Sequence, residues 1–204
     1  MILRIKQSIL GKISHWLFPY LQEEVRKKEK EQFEFLKTQF LSCCNSFVIG
    51  EDLQLDGPQY MTIGDFFYCG KHNRLQCIES YAGVRFFPNL TIGNNVSMED
   101  SCHIGCVDSI SIGSGTMIAS KVFITDHFHG NISQEDLAMS PRNRALSHKP
   151  VRIGENVWIG DGACIMPGVV LGNNVIVGAN AVVTHSFADR CVIAGVPARL
   201  IKQL

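Results

Sequence analysis

The sequence predicts an all-β solenoid, a three-sided coil of short parallel strands behind a helical N-terminal extension, and three observations predict it. Aliphatic residues recur every six positions over most of the chain after residue 48, a period that neither a helix nor an ordinary strand shows. A glycine or short polar residue commonly follows the aliphatic, as in Ile92-Gly93, Ile153-Gly154, Leu171-Gly172 and Val177-Gly178. Residues 1–47 carry no such repeat and have apolar positions at helical spacing instead.

In the extension, Ile2, Ile5, Ile9, Leu10, Ile13, Trp16 and Leu17 alternate with Arg4, Lys6 and Lys12. Pro19 lacks an amide hydrogen and crowds the preceding turn, so the pattern predicts two helices. The second, over about 20–41, bears Val25, Phe33, Leu36 and Phe40 on one side. No acidic residue precedes Glu23. Residues 1–18 can therefore dock on the solenoid or a neighbouring subunit, or lie against anionic headgroups at a membrane surface.

The coil is predicted over 48–204. Ile92, Met98 and Ile104 form one run, Ile112, Ile118 and Ile124 the next, and Ile153, Ile159, Ile165, Leu171, Val177 and Val183 a third. In a triangular coil each hexad supplies one flat strand and one corner, and rungs stack at the strand spacing of ~4.8 Å. The aliphatics fill the prism. Asn94-Asn95 and Asn173-Asn174 suit corners, where the backbone enters conformations that glycine and asparagine tolerate. Because a single rung cannot bury its own apolar residues, many rungs follow one another and the first needs a cap. The N-terminal helices can supply it.

Three interruptions are expected. A register slip between Ile104 and Ile112 puts an irregular turn around Cys106 to Ile110. Between Phe128 and Pro150 the repeat stops and resumes, which predicts an extruded loop at 128–150, and such loops commonly carry function. The polar, aromatic stretch Tyr68 to Phe87 is a further loop candidate. Residues 197–204 form a C-terminal tail.

Lys+Arg and Asp+Glu both number 19, so the balance offers no basic surface for nucleic acid. The eight cysteines are scattered, with no cleavable signal sequence, which fits a reducing cytoplasm. Cys102, His103 and Cys106 suggest metal ligands, but no second pair completes a zinc set. Packing is the expected role of the thiols, and no metal is expected.

His127 stands in the segment Thr125-Asp126-His127-Phe128-His129-Gly130, where the coil gives way to the loop. An imidazole titrates near neutrality and suits proton removal there. His129 is a second base candidate, and Asp126 can orient an imidazole or merely turn the loop.

The segments IASKVFITDHFHG (118–130), PVRIGENVWIGDGACIMPGVVLGNNVIVGANAVVT (150–184) and VIAGVPARLIK (192–202) resemble the hexapeptide-repeat acyltransferases. The resemblance is to the O-antigen and exopolysaccharide O-acetyltransferases, together with the galactoside, maltose and nodulation acetyltransferases, and covers roughly residues 90–204. It implies a left-handed parallel β-helix, a homotrimer with sites between subunits, acetyl-CoA as cosubstrate, and transfer of acetyl to a sugar or glycan hydroxyl. His127 matches the catalytic histidine, and direct attack in a ternary complex requires no acyl-enzyme. Trp158 matches a tryptophan near the pocket. Ala179 and Thr184 match positions along the pantetheine arm, with Gly160 permitting its close passage. Arg199 and Lys202 match basic residues near the CoA phosphates, whereas His185 stands where a basic residue is frequent. His103, Asp126 and His129 are the candidates on the acceptor side. A cytoplasmic location, at the inner face of the membrane if residues 1–18 dock there, completes the expectation.

Three other readings compete. An amino sugar or nucleotide-linked amino sugar can replace the hydroxyl acceptor. A γ-type carbonic anhydrase shares the coil but needs three histidines on one zinc. A non-enzymatic scaffold would leave the DHFHG junction and basic tail without purpose.

Overall fold

The computed structural model describes residues 2–43 and 46–204, with side chains from Leu17 onward other than those of Glu29 and Gln32. The side chains of the expected apolar face at residues 2–16, and Cys44, lie outside what is described. The chain divides into two compact units, Met1–Gln39 and Phe40–Leu204.

The first unit is one continuous helix, Ile2–Lys37, with Pro19 inside it, where two helices were expected. Proline at a helix interior costs ~3 kcal/mol, and the residues after it offset that cost. Glu, Lys, Arg and Gln dominate residues 22–34, with Glu23 and Lys27, and Glu24 and Lys28, at the favourable four-residue spacing. Lys37 lies in the last turn, where a cation meets the negative end of the helix, and its ammonium lies 5.3 Å from the Phe33 ring centre. Among the described residues no helix is long and apolar enough to cross a membrane.

The second unit is a left-handed parallel β-helix with three faces. The first face stacks Ser42–Cys43, Met61–Ile63, Asn89–Ile92, Ser109–Ile112, Val151–Ile153 and Val170–Leu171. The second runs from Phe47–Ile49 through Phe67–Cys69, Ser97–Met98, Met117–Ile118, Trp158–Ile159 and Ile176–Val177 to Cys191–Ala194, and the antiparallel strand Arg199–Gln203 closes it. The third stacks Gln54–Asp56, Arg74–Cys77, His103–Cys106, Phe123–Thr125, Cys164–Ile165 and Val182–Val183. Register follows the repeat: Ile92 pairs with Ile112, Ile112 with Ile153, and Ile153 with Leu171.

These aliphatics fill the prism. Ile92, Ile104, Ile118, Ile124, Ile159, Ile165 and Leu171 are all within 1% of complete burial, each worth ~1.5–3 kcal/mol relative to exposure. The asparagine corners behave as expected. Asn95 and Asn174 have φ of 54° and 57°. Asn94 Oδ1 accepts from the Asp65 amide and Asn173 Oδ1 from the Glu155 amide, each at 2.8 Å, so the corner side chains also tie rung to rung. Corner glycines answer a different need. A Cβ on Gly113 would sit 2.5 Å from the Gly154 carbonyl, because successive corners stack backbone on backbone.

Every large interruption falls on one edge of the prism, where the third face passes to the first. Four successive rungs are extended there: by the 3₁₀ turn Pro58–Tyr60, by the antiparallel pair Ser80–Tyr81 and Val84–Arg85, by Val107 and Asp108, and by the hairpin of His127–His129 with Leu146–His148. The next passage, Ile165 to Leu171, is tight. Phe86, Val107 and Leu146, buried together with Ile78 and Tyr81 against them, form a satellite core that locks three of these extensions to one another.

Two expectations change. Tyr68 to Phe87 is largely coil: Phe67, Cys69, Leu75 and Cys77 point inward and Tyr68, Arg74 and Gln76 outward. Only its later part leaves the prism. The slip after Ile104 also proves narrower than the span Cys106 to Ile110, since Cys106 and Ile110 belong to strands and the added residues are Val107 and Asp108.

Candidate active site

A cleft of about 560 Å³ opens on the third face beneath the loop edge. Its floor is set by strand register. Arg74, His103 and Phe123 form one outward column, and Asp56, Gln76, Gly105 and Thr125 the other. The wall is made by Ile78, Tyr81, Phe128, His129 and Leu146 from the loop edge, and Met166 lies on the C-terminal side.

His127 begins the extruded hairpin and lines this cleft. Its Nδ1 lies 3.1 Å from Asp126 Oδ1 and 3.2 Å from Thr125 Oγ1. Asp126 is completely buried. A carboxylate there requires donors, and backbone amides supply them: Val107 N–H lies 2.9 and 3.1 Å from its two oxygens and Asp108 N–H 2.8 Å from Oδ2. The Asp126 carboxylate offers an acceptor to Nδ1, so the neutral ring takes the Nδ1–H tautomer, and its Nε2 is then the nitrogen that can accept a proton, as a general base requires.

Gly105 permits this arrangement. A Cβ at that position would lie 3.2 Å from His127 Cε1 and 3.6 Å from His103 Nε2, so the rings of both histidines crowd the bare backbone. His103 Nε2 donates to Gln76 Oε1 at 3.2 Å, and its ring leans on Phe123 at 5.2 Å. Burial, then the charges of Arg74 and His127, push its pKa down to about 4. His103 is thus neutral at pH 7, with Nδ1 able to accept a hydrogen bond.

The other sequence candidates divide by position. His129 lines the cleft with its ring edge-on to Tyr81 at 5.2 Å; among the described residues no carboxylate orients it. Asp126, expected among the residues on the acceptor side, is completely buried and does not line the cleft; its side chain meets the imidazole of His127 instead. Trp158 is half-exposed on the second face, between Met117 and Ile176 in register. Gly160 and Ala179 stack at the corner between the second and third faces, where a Cβ on Gly160 would meet the Ala179 amide at 2.7 Å. Thr184 follows the last third-face strand, its hydroxyl 2.9 Å from His185 Nδ1. Arg199 and Lys202 are exposed on the closing strand of the second face. Within one chain, therefore, His103, His127 and His129 share the cleft, while Trp158, Arg199 and Lys202 stand on another face.

Cys102 and Cys106 point into the prism and His103 out of it, so the three cannot converge on one ion. Burial pushes the Cys102 thiol up to about 11 and the Cys69 thiol up to about 12, values suited to packing and not to nucleophilic attack. Sequence reasoning missed Gly105, Thr125, Gln76, Val107 and Asp108. The amide clamp on Asp126 had one available signal, the register slip itself.

Fold and site define a parallel β-helix with a buried aspartate holding one cleft histidine by its Nδ1. Residues 150–185 match the family described as bacterial transferase hexapeptide (six repeats), and the chain is similar to proteins named as O-acetyltransferases. It is 42% identical over 125 residues to the Escherichia coli (strain K12) protein provisionally named lipopolysaccharide biosynthesis O-acetyl transferase WbbJ, covering 59% of this chain and 61% of that one. It is 42% identical over 114 residues to nodulation protein L of Rhizobium meliloti (strain 1021), covering 55% and 58%. The chain thus matches less than two thirds of the length of these curated relatives. Among solved structures, AntD, an N-acyltransferase from Bacillus cereus in complex with dTDP and 3-hydroxybutyryl-CoA, superposes with a TM-score of 0.66 at 22% identity, covering 84% of this chain and 87% of that one. That likeness is one of fold.

Proposed function

We propose that the protein is an acetyl-CoA-dependent O-acetyltransferase acting on a hydroxyl of a sugar or surface polysaccharide, with His127 as general base. The observation that carries this reading is the imidazole held through Nδ1 by buried Asp126 beside Gly105, in a cleft of polar and aromatic side chains. In the proposed step, Nε2 takes the proton of the acceptor hydroxyl while that oxygen attacks the thioester carbonyl. Collapse of the tetrahedral intermediate forms the ester and expels the CoA thiolate, which takes the proton back from the imidazolium. The buried anion of Asp126 stabilises the transient imidazolium.

The polar side chains of Arg74, Gln76 and His103 on the cleft floor, with Tyr81 and Phe123 beside them, suit a polyol acceptor. Neutral His103 can take a hydrogen bond from a second hydroxyl. Gly160, Ala179 and Thr184 are proposed along the pantetheine arm, with Arg199 and Lys202 toward the CoA phosphates. Trp158 on a different face is consistent with a trimer in which neighbouring copies complete each site. Val48, Tyr68, Met117 and Trp158 form, with Ser97 between Tyr68 and Met117, a largely exposed and mostly apolar column on that face, suited to a contact between copies. We place the enzyme in the cytoplasm, with residues 1–18 available for contact with the inner membrane surface.

The test is a panel of neutral sugars, oligosaccharides and amino sugars offered with acetyl-CoA, with thiol release and the acetylated product both measured. Ester formation on hydroxyls is expected. Reaction with amines alone would replace this reading with N-acetylation. His127→Ala is expected to lower turnover by about 10² to 10⁴ with CoA binding retained, and turnover near wild type would reject the assigned base.

A further inference from the structure

Behind the first histidine–aspartate pair stands a second. His148 Nδ1 donates to Asp108 Oδ2 at 2.9 Å, and the two pairs are joined twice. Asp108 N–H donates to Asp126 Oδ2 at 2.8 Å, and His148 is the cross-strand partner of His127 at the base of the extruded hairpin. The Lys149 amide, next along the chain, donates to the Asp126 carbonyl at 2.8 Å. His148 does not line the cleft; its ring packs edge-on against Phe86 at 5.8 Å, within the satellite core's reach.

We propose that His148 is a positioning residue for acetyl transfer: by holding the Asp108 carboxylate it keeps the Val107 and Asp108 amides on Asp126, and so fixes His127 as the Nδ1–H tautomer. The corner at Val107 and Asp108 is two residues added to the repeat. Besides the amide bonds to Asp126, it is held by the Asn89 amide on the Asp108 carbonyl at 2.9 Å, by Val107 in the satellite core, and by the Asp108 side chain on His148. The last keeps the Asp108 carboxylate against the hairpin; without it that carboxylate, already a third exposed, is better solvated when the corner turns outward. Turning it carries the amides off Asp126. The carboxylate then loses its donors, and the imidazole its defined orientation.

This inference rests on His127 being the base, yet its test does not need the acceptor. Asparagine places an N–H close to where histidine places Nδ1–H, so His148→Asn retains the contact and His148→Phe removes it while preserving the packing on Phe86. In the full chain, hydrogen exchange of the Val107 and Asp108 amides and the His127 tautomer are measured by NMR. In His148→Phe the two amides are expected to exchange at least tenfold faster and His127 to become a mixture of tautomers, and His148→Asn is expected to restore both. His148→Leu removes the same contact should His148→Phe fail to fold. Unchanged exchange and tautomer in a folded His148→Phe or His148→Leu variant, or an asparagine variant as impaired as phenylalanine, would overturn the proposal. If instead both NMR readouts move as expected but His127→Ala retains full turnover, the coupling stands and the base assignment falls.

Discussion

At the scale of single residues, the site depends on what is missing as much as on what is present. Gly105 has no side chain, and two imidazoles occupy the space above it. Gly105→Val should push the His127 ring off its bond to Asp126; we expect at least a tenfold fall in turnover with the thermal midpoint little altered, measured on one preparation. Asp126→Ala acts differently, because it strands the buried Val107 amide and the part-buried Asp108 amide. Each unsatisfied donor costs ~1–3 kcal/mol, so a loss of stability should accompany the loss of activity in denaturant unfolding. His103 gives a pH signature. Its pKa in the folded chain, about 4, lies below the unfolded value of 6.5, so on acidification the unfolded chain takes up the proton first. Its contribution therefore reduces stability progressively as pH falls from about 6.5 to about 4, and His103→Gln should flatten that part of the profile. His127 was legible because a histidine stood where a repeat broke. Gly105 and Asp108 were not, since a glycine follows many of the inward aliphatics of this coil and a short acidic residue suits its corners.

At the scale of elements, the loops have their own core. Phe86→Ala should loosen the hairpin at 127–148 and leave the rungs intact, whereas Ile165→Ala opens a cavity in the prism and should cost ~2–5 kcal/mol of global stability. Hydrogen exchange separates the two: protection is lost only near the loop edge in the first variant and throughout the coil in the second. This division also explains two misreadings. Cysteines at inward positions 69 and 77 hide the aliphatic repeat, so Tyr68 to Phe87 reads as loop although much of it is rung. Pro19 reads as a helix boundary, yet strong helix formers on its C-terminal side carry the helix through. Where six-residue spacing is unbroken, from Ile153 to Val183, pattern and structure coincide, because each inward residue there meets the same environment one rung away.

At the scale of the whole molecule, the second face presents Val48, Tyr68, Met117 and Trp158 to the exterior in one register column, with Ser97 between Tyr68 and Met117. We expect light scattering to give three copies per particle, and Met117→Arg, which sets a charge in the middle of that column, to give smaller species with reduced turnover. Nothing in the periodicity alone specifies that number. It enters through resemblance, since a hexad repeat describes one column and is silent about how columns associate.

The confinement of every large extension to one edge has an evolutionary corollary. Chain that departs from a rung and returns one rung later can be lengthened, exchanged or recombined without altering the path of the prism or the two compact edges. Under the proposed function, acceptor choice can then change through a few exchangeable segments without disturbing the stacked rungs. A graft of residues 130–145 from a relative with another acceptor is the natural unit of that exchange.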